Sequence, residues 1–201
     1  MLSTVKPAAE KTIRPLALLL KNVNPNVISL FGLLFPILFF WCVMQEQYVL
    51  ALVVFVFNGV DMLDGMVARM TDKVTAFGGF LDSTIDRFAD FTVIAVFGFA
   101  GLVGWNIILP LLMLTYLISY IRSRTELAAK AQLVANVGFL ERTERLIGIF
   151  IGLLLYAIFP DATFASQNIM AWTCIILIGL SAFTVGQRFI FAYKKLSSLP
   201  K

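Results

Sequence analysis

Five aspartates within an otherwise apolar stretch are the residues of this sequence best suited to chemistry. They are Asp61, Asp64, Asp82, Asp86 and Asp90. Ionised side chains are costly at membrane depth, and those found there usually face a protein interior or a wet cavity and serve a function. Carboxylate oxygens are ligands that Mg²⁺ and Mn²⁺ prefer. The stretch therefore predicts a divalent metal site.

The spacing of the aspartates fits two helices that follow one another. At about 100° per residue, one group occupies roughly a third to two fifths of a helix circumference. It comprises Asp61, Asp64, Gly65, Ala68 and Arg69. A second group steps forward by four residues. It comprises Gly78, Asp82, Asp86 and Asp90. Helices joined across 70–77 could point four carboxylates at one another. Structural ion pairs with Arg69 and Arg87 are the alternative, but two arginines cannot balance five aspartates in a low-dielectric bundle.

Composition predicts an all-α integral membrane protein. The chain has 201 residues, 60% of which are hydrophobic, and its apolar runs of about 20 residues are long enough to cross a hydrocarbon core. We expect one membrane domain over 1–201, with an amphipathic surface helix in 1–23 and a six-transmembrane-helix bundle in 24–195. The sequence contains no histidine, so a general base must be a carboxylate, a tyrosine, a lysine or an oriented water.

The distribution of charge predicts the orientation of these spans. The spans are expected over about 27–44, 48–69, 76–101, 105–130, 140–159 and 168–193. All 16 Lys and Arg residues then lie at one membrane face, and such residues are enriched in cytoplasmic loops. The aspartate site and both termini should therefore be cytoplasmic. The net charge of +4 is small and gives no reason to expect a nucleic-acid partner.

The pattern from Asp61 to Asp86 reads D-x-x-D-G-x-x-A-R-x8-G-x-x-x-D-x-x-x-D. It resembles the signature of the CDP-alcohol phosphotransferase family at every fixed position. The resemblance implies that Asp61, Asp64 and Asp82 bind metal, as two Mg²⁺ or Mn²⁺ ions. It implies that Asp86 shares a metal and is the base that takes the proton of the acceptor hydroxyl. It also implies a CDP-lipid beside Gly65, Ala68, Arg69, Gly78 and Asn26.

Basic residues near the same membrane face suggest an anionic acceptor. They are Arg122, Arg124, Lys130, Arg142 and Arg145. These segments resemble the phosphatidylinositol-phosphate and archaetidylinositol-phosphate synthase branch, which implies inositol 1-phosphate as acceptor and CMP as product. By this resemblance Lys130, Arg145 and Arg188 would bind the acceptor phosphate, with Arg142 and Arg124 as further candidates. Glu126, Glu141 and Glu144 could pair with nearby arginines. The alternative for the basic residues is membrane topology and lipid-headgroup binding.

Two other functions fit part of the pattern. Glycerol 3-phosphate is also anionic and is the main rival acceptor, whereas serine would leave the basic residues with little to do. A divalent-cation channel or carrier could use the carboxylates as a transit site, but the outer halves of the predicted spans are apolar apart from Glu46. No cytidylyltransferase segment precedes the bundle, so we expect the CDP-lipid to be made by another enzyme. The resemblance also implies a homodimer.

Overall fold

The computed structural model of the chain describes Pro15 and residues 18–57, 62–129 and 137–198. The helices within these ranges are α1 (Pro25–Gly32), α2 (Leu34–Met44), α3 (Tyr48–Val56), α4 (Met62–Met70), α5 (Ala76–Phe99), α6 (Trp105–Ala128), α7 (Arg142–Ile158) and α8 (Ile169–Ser197). The strands are β1 (Thr163–Phe164) and β2 (Gln167–Asn168). The mainly helical fold is as predicted. Most of the expected surface helix in 1–23 lies outside the described residues, as do Asp61 and Lys130.

The first predicted span consists of two helical segments. The side-chain oxygen of Asn24 caps α1 by accepting the N–H of Asn26 at 3.0 Å. α1 ends at Gly32, because Pro36 has no N–H to donate to the Gly32 carbonyl. The N–H of Leu33 donates to the carbonyl of Leu30, which is the tighter turn of a 3₁₀ helix.

The second predicted span, 48–69, corresponds to α3 and α4, with residues 58–61 between them outside the described part of the chain. The later helices begin within two residues of their predicted starts. α5 starts at Ala76 because Thr75 caps it, its hydroxyl accepting the N–H of Gly78 at 3.0 Å. This cap fixes the start of the helix that carries three of the aspartates.

The apolar core lies among α2, α3, α5, α6, α7 and α8, and its fully buried side chains include Phe39, Phe97 and Leu111. α6 and α8 form the most extensive helix pair, whereas α1 packs against both α4 and α5. A smaller cluster between α1 and α4 contains Ile28 and Val67. The short helix α1 therefore lies between the two helices that carry the signature.

Many large apolar side chains face outward, as expected of a protein whose surroundings are lipid. Within the described residues, three helical stretches are long and apolar enough to cross a membrane by themselves. They are Pro25–Met44, Trp105–Ala128 and Ile169–Ser197. The structure thus supports a membrane protein with at least these candidate spans.

Two connections position α7 and α8. Gly138 adopts φ +147°, and a Cβ added to it would lie 2.8 Å from Thr184 Cγ2. A two-residue hairpin, β1–β2, precedes α8, and its turn residues Ala165 and Ser166 have positive φ. The sequence gives no glycine or asparagine signal at that turn, and the hairpin was not predicted.

Close packing between α7 and α8 generates a first prediction. A Cβ at Gly152 would lie 2.8 Å from Thr173 Cβ, so Gly152→Ala should force the helices apart and lower the free energy of unfolding by about 1–3 kcal/mol. Gly179→Ala, which meets nothing within 4 Å, is the matched control. The melting temperature of detergent-purified protein should fall only for the Gly152 variant, and an equal response of the two would refute close packing there.

Candidate active site

Asp64 is a buried carboxylate held between α4 and α1. Its side chain is on α4, and the residue is 6% exposed. The hydroxyl of Ser29 on α1 donates to Asp64 Oδ2, and the N–H of Gly65 is bonded to Oδ1. Ser29 is itself 5% exposed, so the contact is internal to the bundle. These two neutral donors therefore orient the Asp64 carboxylate between α4 and α1.

The glycines of the signature lie next to polar side chains. A Cβ added to Gly78 would lie 3.4 Å from Asn26 Oδ1 and 3.1 Å from Thr75 Oγ1. A Cβ added to Gly65 would lie 3.4 Å from Arg69 Nη1. The structure thus places Asn26 beside Gly78, and Arg69 beside Gly65. Ala68 is also predicted to lie beside the CDP-lipid, and it is half-buried on α4.

The aspartates of α5 become more buried along the helix. Asp82, near its start, is partly exposed, the side chain of Asp86 is 19% exposed, and that of Asp90 is 4% exposed. Each step of four residues returns to nearly the same helix face. The stripe predicted from the sequence therefore leads from the surface into the bundle.

Arginines at the start of α7 pair with the deeper two aspartates. Arg142 Nη1 lies 2.8 Å from Asp86 Oδ1, and Arg142 Nε lies 3.2 Å from Asp90 Oδ1. Arg145 Nη2 lies 2.7 Å from Asp90 Oδ2, and its side chain is 2% exposed. Arg145 Nε has no hydrogen-bond partner among the described residues. Two candidate acceptor-binding arginines thus meet the candidate base and Asp90 in one network.

Arg188 lies in a different setting, although it too is buried. Its Nε donates to the carbonyl of Val137 at 2.7 Å, and its Nη1 donates to the carbonyl of Ile118 at 2.8 Å. Its Nη2 is 4.0 Å from Glu141 Oε1. In this structure Arg188 joins α8 to α6 and to the connection before α7, so its predicted role at the acceptor phosphate stays a prediction.

The remaining polar residues of this face have mixed roles. Arg124 is exposed on α6, two residues from each member of the Arg122–Glu126 pair, in which Arg122 Nε lies 3.1 Å from Glu126 Oε1. Two of the expected glutamate–arginine pairs, those of Glu126 and Glu141, are therefore present. Glu144 instead accepts the N–H of Glu141 at 3.1 Å and completes the capping box of α7.

A narrow cleft reaches the pair formed by Asp86 and Arg142. Its other lining residues are Gly32, Phe35, Phe57, Ile85 and Ala89. The walls are therefore apolar and come from α1, α2, the end of α3 and α5.

The described carboxylates fit a hard divalent cation by their chemistry. Asp64, Asp82 and Asp86 provide only oxygen ligands, as Mg²⁺ and Mn²⁺ prefer. No group of three possible ligands close enough to hold an ion occurs within the described residues, and the predicted ligand Asp61 lies outside them. The contact of Ser29 with Asp64 and the pairing of Asp90 with Arg142 and Arg145 were missed from the sequence, because only the tertiary fold brings these residues together.

Comparison with known proteins agrees with this geometry. The CDP-alcohol phosphatidyltransferase family matches residues 22–193. The archaetidylinositol phosphate synthase of Pyrococcus horikoshii is 37% identical over 161 residues, which are 79% of this chain and 85% of that protein.

Two crystal structures of Mycobacterium tuberculosis phosphatidylinositol phosphate synthase share the fold. The form with CDP-DAG bound has a TM-score of 0.74 and 27% identity, and the match covers 89% of this chain and 92% of that one. The form in complex with manganese and citrate has a TM-score of 0.73 and 27% identity, and the match covers 89% and 88% of the two chains.

The buried ion pair generates a second prediction. Asp90→Asn should leave the Arg145 charge buried without its carboxylate and lower the free energy of unfolding by about 3–5 kcal/mol. Glu126→Gln breaks the more exposed pair with Arg122 and should cost less than about 1 kcal/mol. Thermal melting in detergent measures both. Equal small shifts would mean that Asp90 does not stabilise the bundle.

Proposed function

The chain belongs to the CDP-alcohol phosphatidyltransferase family, and from this premise we propose that it transfers a phosphatidyl-type group from a CDP-linked lipid to inositol 1-phosphate, releasing CMP. The donor is CDP-diacylglycerol or CDP-archaeol, and the reaction belongs to phospholipid biosynthesis. The relative from P. horikoshii is an archaetidylinositol phosphate synthase, and the M. tuberculosis neighbour is a phosphatidylinositol phosphate synthase. Both support an inositol phosphate as the acceptor.

One observation of this structure carries the acceptor assignment. Arg142 Nη1 lies 2.8 Å from Asp86 Oδ1, so a guanidinium adjoins the carboxylate proposed as the base. Guanidinium groups bind phosphate through a planar fork of donors. An acceptor with its own phosphate would therefore bring its reacting hydroxyl to the same place. An uncharged alcohol would make no use of this cation.

The proposed reaction is a displacement at the β-phosphorus of the CDP-lipid. Asp86 takes the proton as the acceptor O–H bond breaks, and the acceptor oxygen forms a bond to the β-phosphorus. The bond from that phosphorus to the CMP oxygen breaks, and CMP leaves with the electron pair. Arg69 and Asn26 would contact the donor, while Gly65, Ala68 and Gly78 leave room for it beside the helices.

We propose that two Mg²⁺ or Mn²⁺ ions are held by Asp61, Asp64, Asp82 and Asp86. Bound there, they would neutralise pyrophosphate charge and stabilise the leaving phosphate. The manganese complex of the M. tuberculosis neighbour supports this donor chemistry. Lys130, Arg145 and Arg188, with Arg142 and Arg124, are proposed to provide the positive field for the acceptor phosphate.

The proposed arrangement in the membrane has six spans in one domain. α1 with α2, and α3 with α4, would each form one span, and each of the four later helices would form another. Arg142 at the start of α7 pairs with Asp86 in the first half of α5, which supports a common face for these two ends. That face and both termini are proposed to be cytoplasmic, because the sequence predicts the Lys and Arg residues at that face. A homodimer is part of this proposal.

The acceptor is tested by CMP release from purified protein with Mg²⁺ and a CDP-lipid. Inositol 1-phosphate, free inositol, glycerol 3-phosphate and serine are compared as acceptors. We expect release with inositol 1-phosphate and little with free inositol. Release with glycerol 3-phosphate instead would replace the acceptor and keep the aspartate chemistry. No release with any acceptor would refute the transferase and favour a cation carrier.

The base is tested by Asp86→Asn, which keeps the shape of the side chain but removes its basicity. We expect CMP release to fall by about 10²–10⁴-fold while CDP-lipid binding is largely kept. Asp72→Asn is the matched control, since Asp72 is exposed between α4 and α5 at positive φ, where asparagine is tolerated. Unchanged turnover in the Asp86 variant would remove it as the base.

A further inference from the structure

Arg142 is the more exposed of the two α7 arginines in the network that contains the candidate base. Its side chain is 28% exposed, compared with 2% for Arg145 and 4% for Asp90. It contacts Asp90 through Nε and Asp86 through Nη1. The Asp90–Arg145 pair is thus enclosed by the bundle, whereas Asp86 and Arg142 line the cleft. The Asp86–Arg142 contact is therefore accessible to a ligand, and Arg87 Nη1 lies 3.7 Å from the other oxygen of Asp86, Oδ2.

The position of Arg142 in its own helix does not favour its charge. Arg142 is the first residue of α7, and the N-terminal end of a helix disfavours cations. The guanidinium is held instead by carboxylates of α5. Binding of a charged ligand at Asp86 would therefore directly change the electrostatic force on Arg142.

Two classes of ligand would each bind one member of the Asp86–Arg142 pair. A divalent cation at Asp86 would repel the guanidinium 2.8 Å from the same carboxylate oxygen. A phosphate monoester carries about −1.5 to −2 charges and three acceptor oxygens, and so attracts the guanidinium. Removal of Arg142 Nη1 by such an anion would take away the nearer of the two guanidinium groups beside Asp86, since Arg87 Nη1 is 3.7 Å from Oδ2, and would favour metal binding at that carboxylate. The two ligands should consequently assist each other.

We propose that Arg142 changes partner when the acceptor binds, a proposal that rests on the function proposed above. Before binding, Arg142 neutralises Asp86, and after binding it holds the phosphate of the acceptor while Asp90 retains its Nε. The acceptor thereby frees Asp86 for the metal and for the hydroxyl proton. Arg142 is thus a positioning residue that couples acceptor recognition to the state of the base.

The experiment measures Mn²⁺ binding to the full chain in detergent by electron paramagnetic resonance, with and without inositol 1-phosphate. CDP-lipid is left out, so no turnover occurs, and a protein-free titration corrects for Mn²⁺ bound by the acceptor itself. In the wild type we expect inositol 1-phosphate to raise the Mn²⁺ affinity at least about fivefold. In Arg142→Gln the affinity without acceptor should already be raised, and the acceptor should change it less than about twofold.

Two further variants separate this role from a general effect of charge or folding. Lys194→Gln removes a positive charge from an exposed position near the end of α8 and should retain the wild-type increase. Arg142→Lys keeps the charge but lacks the fork that reaches Asp86 and Asp90 together, so the increase should shrink. If Arg142→Gln melts at a much lower temperature than the wild type, the result for Arg142→Lys decides whether Arg142 couples acceptor binding to Mn²⁺ binding.

The outcomes distinguish this proposal from the proposed function. CMP release by the wild type with inositol 1-phosphate, but no effect of that acceptor on Mn²⁺ affinity, would overturn the role of Arg142 and leave the transferase intact. An undiminished acceptor effect in Arg142→Gln would also overturn it. Failure to release CMP, together with a Mn²⁺ effect that depends on Arg142, would support the coupling and refute the proposed reaction.

Discussion

The buried ion pair between Asp90 and Arg145 is the contact on which the geometry of the site depends. Each charge would be costly inside the bundle without the other, since removal from water is offset only by a close and well-oriented partner. The pair fixes α7 against α5 at a depth where both side chains are almost fully enclosed. This registration places Arg142, at the start of α7, beside Asp86, one turn before Asp90. The position of a cation next to the candidate base thus follows from a structural pair deeper in the protein.

The short helix α1 performs the corresponding task for the other half of the site. It packs against both α4 and α5, and its two polar contacts reach one residue on each helix. Ser29 holds Asp64, and Asn26 lies beside Gly78. The residues that orient Asp64 and adjoin Gly78 therefore come from a helix outside the aspartate pattern.

The sequence predicted the parts of the structure that depend on local periodicity. The starts of α5 and α6 and the stripe of aspartates follow from helical spacing and from the cap at Thr75. The pairing of Asp90 with Arg145 could not be predicted, because the two residues are 55 positions apart and helical periodicity does not specify which helices are neighbours. The β1–β2 hairpin was missed for a local reason, since Ala165 and Ser166 are unusual residues for positive φ.

The hydrogen bonds of Arg188 have a consequence for how this chain can diverge. The guanidinium reaches main-chain carbonyls of Ile118 and Val137, and a carbonyl is present whichever side chain the residue carries. Positions 118 and 137 can therefore drift in sequence while this junction is preserved. Position 188 has no such freedom, because a lysine ammonium lacks the planar fork that spans both carbonyls. An arginine that is kept at position 188 while positions 118 and 137 vary would be explained by its hydrogen bonds to the main chain.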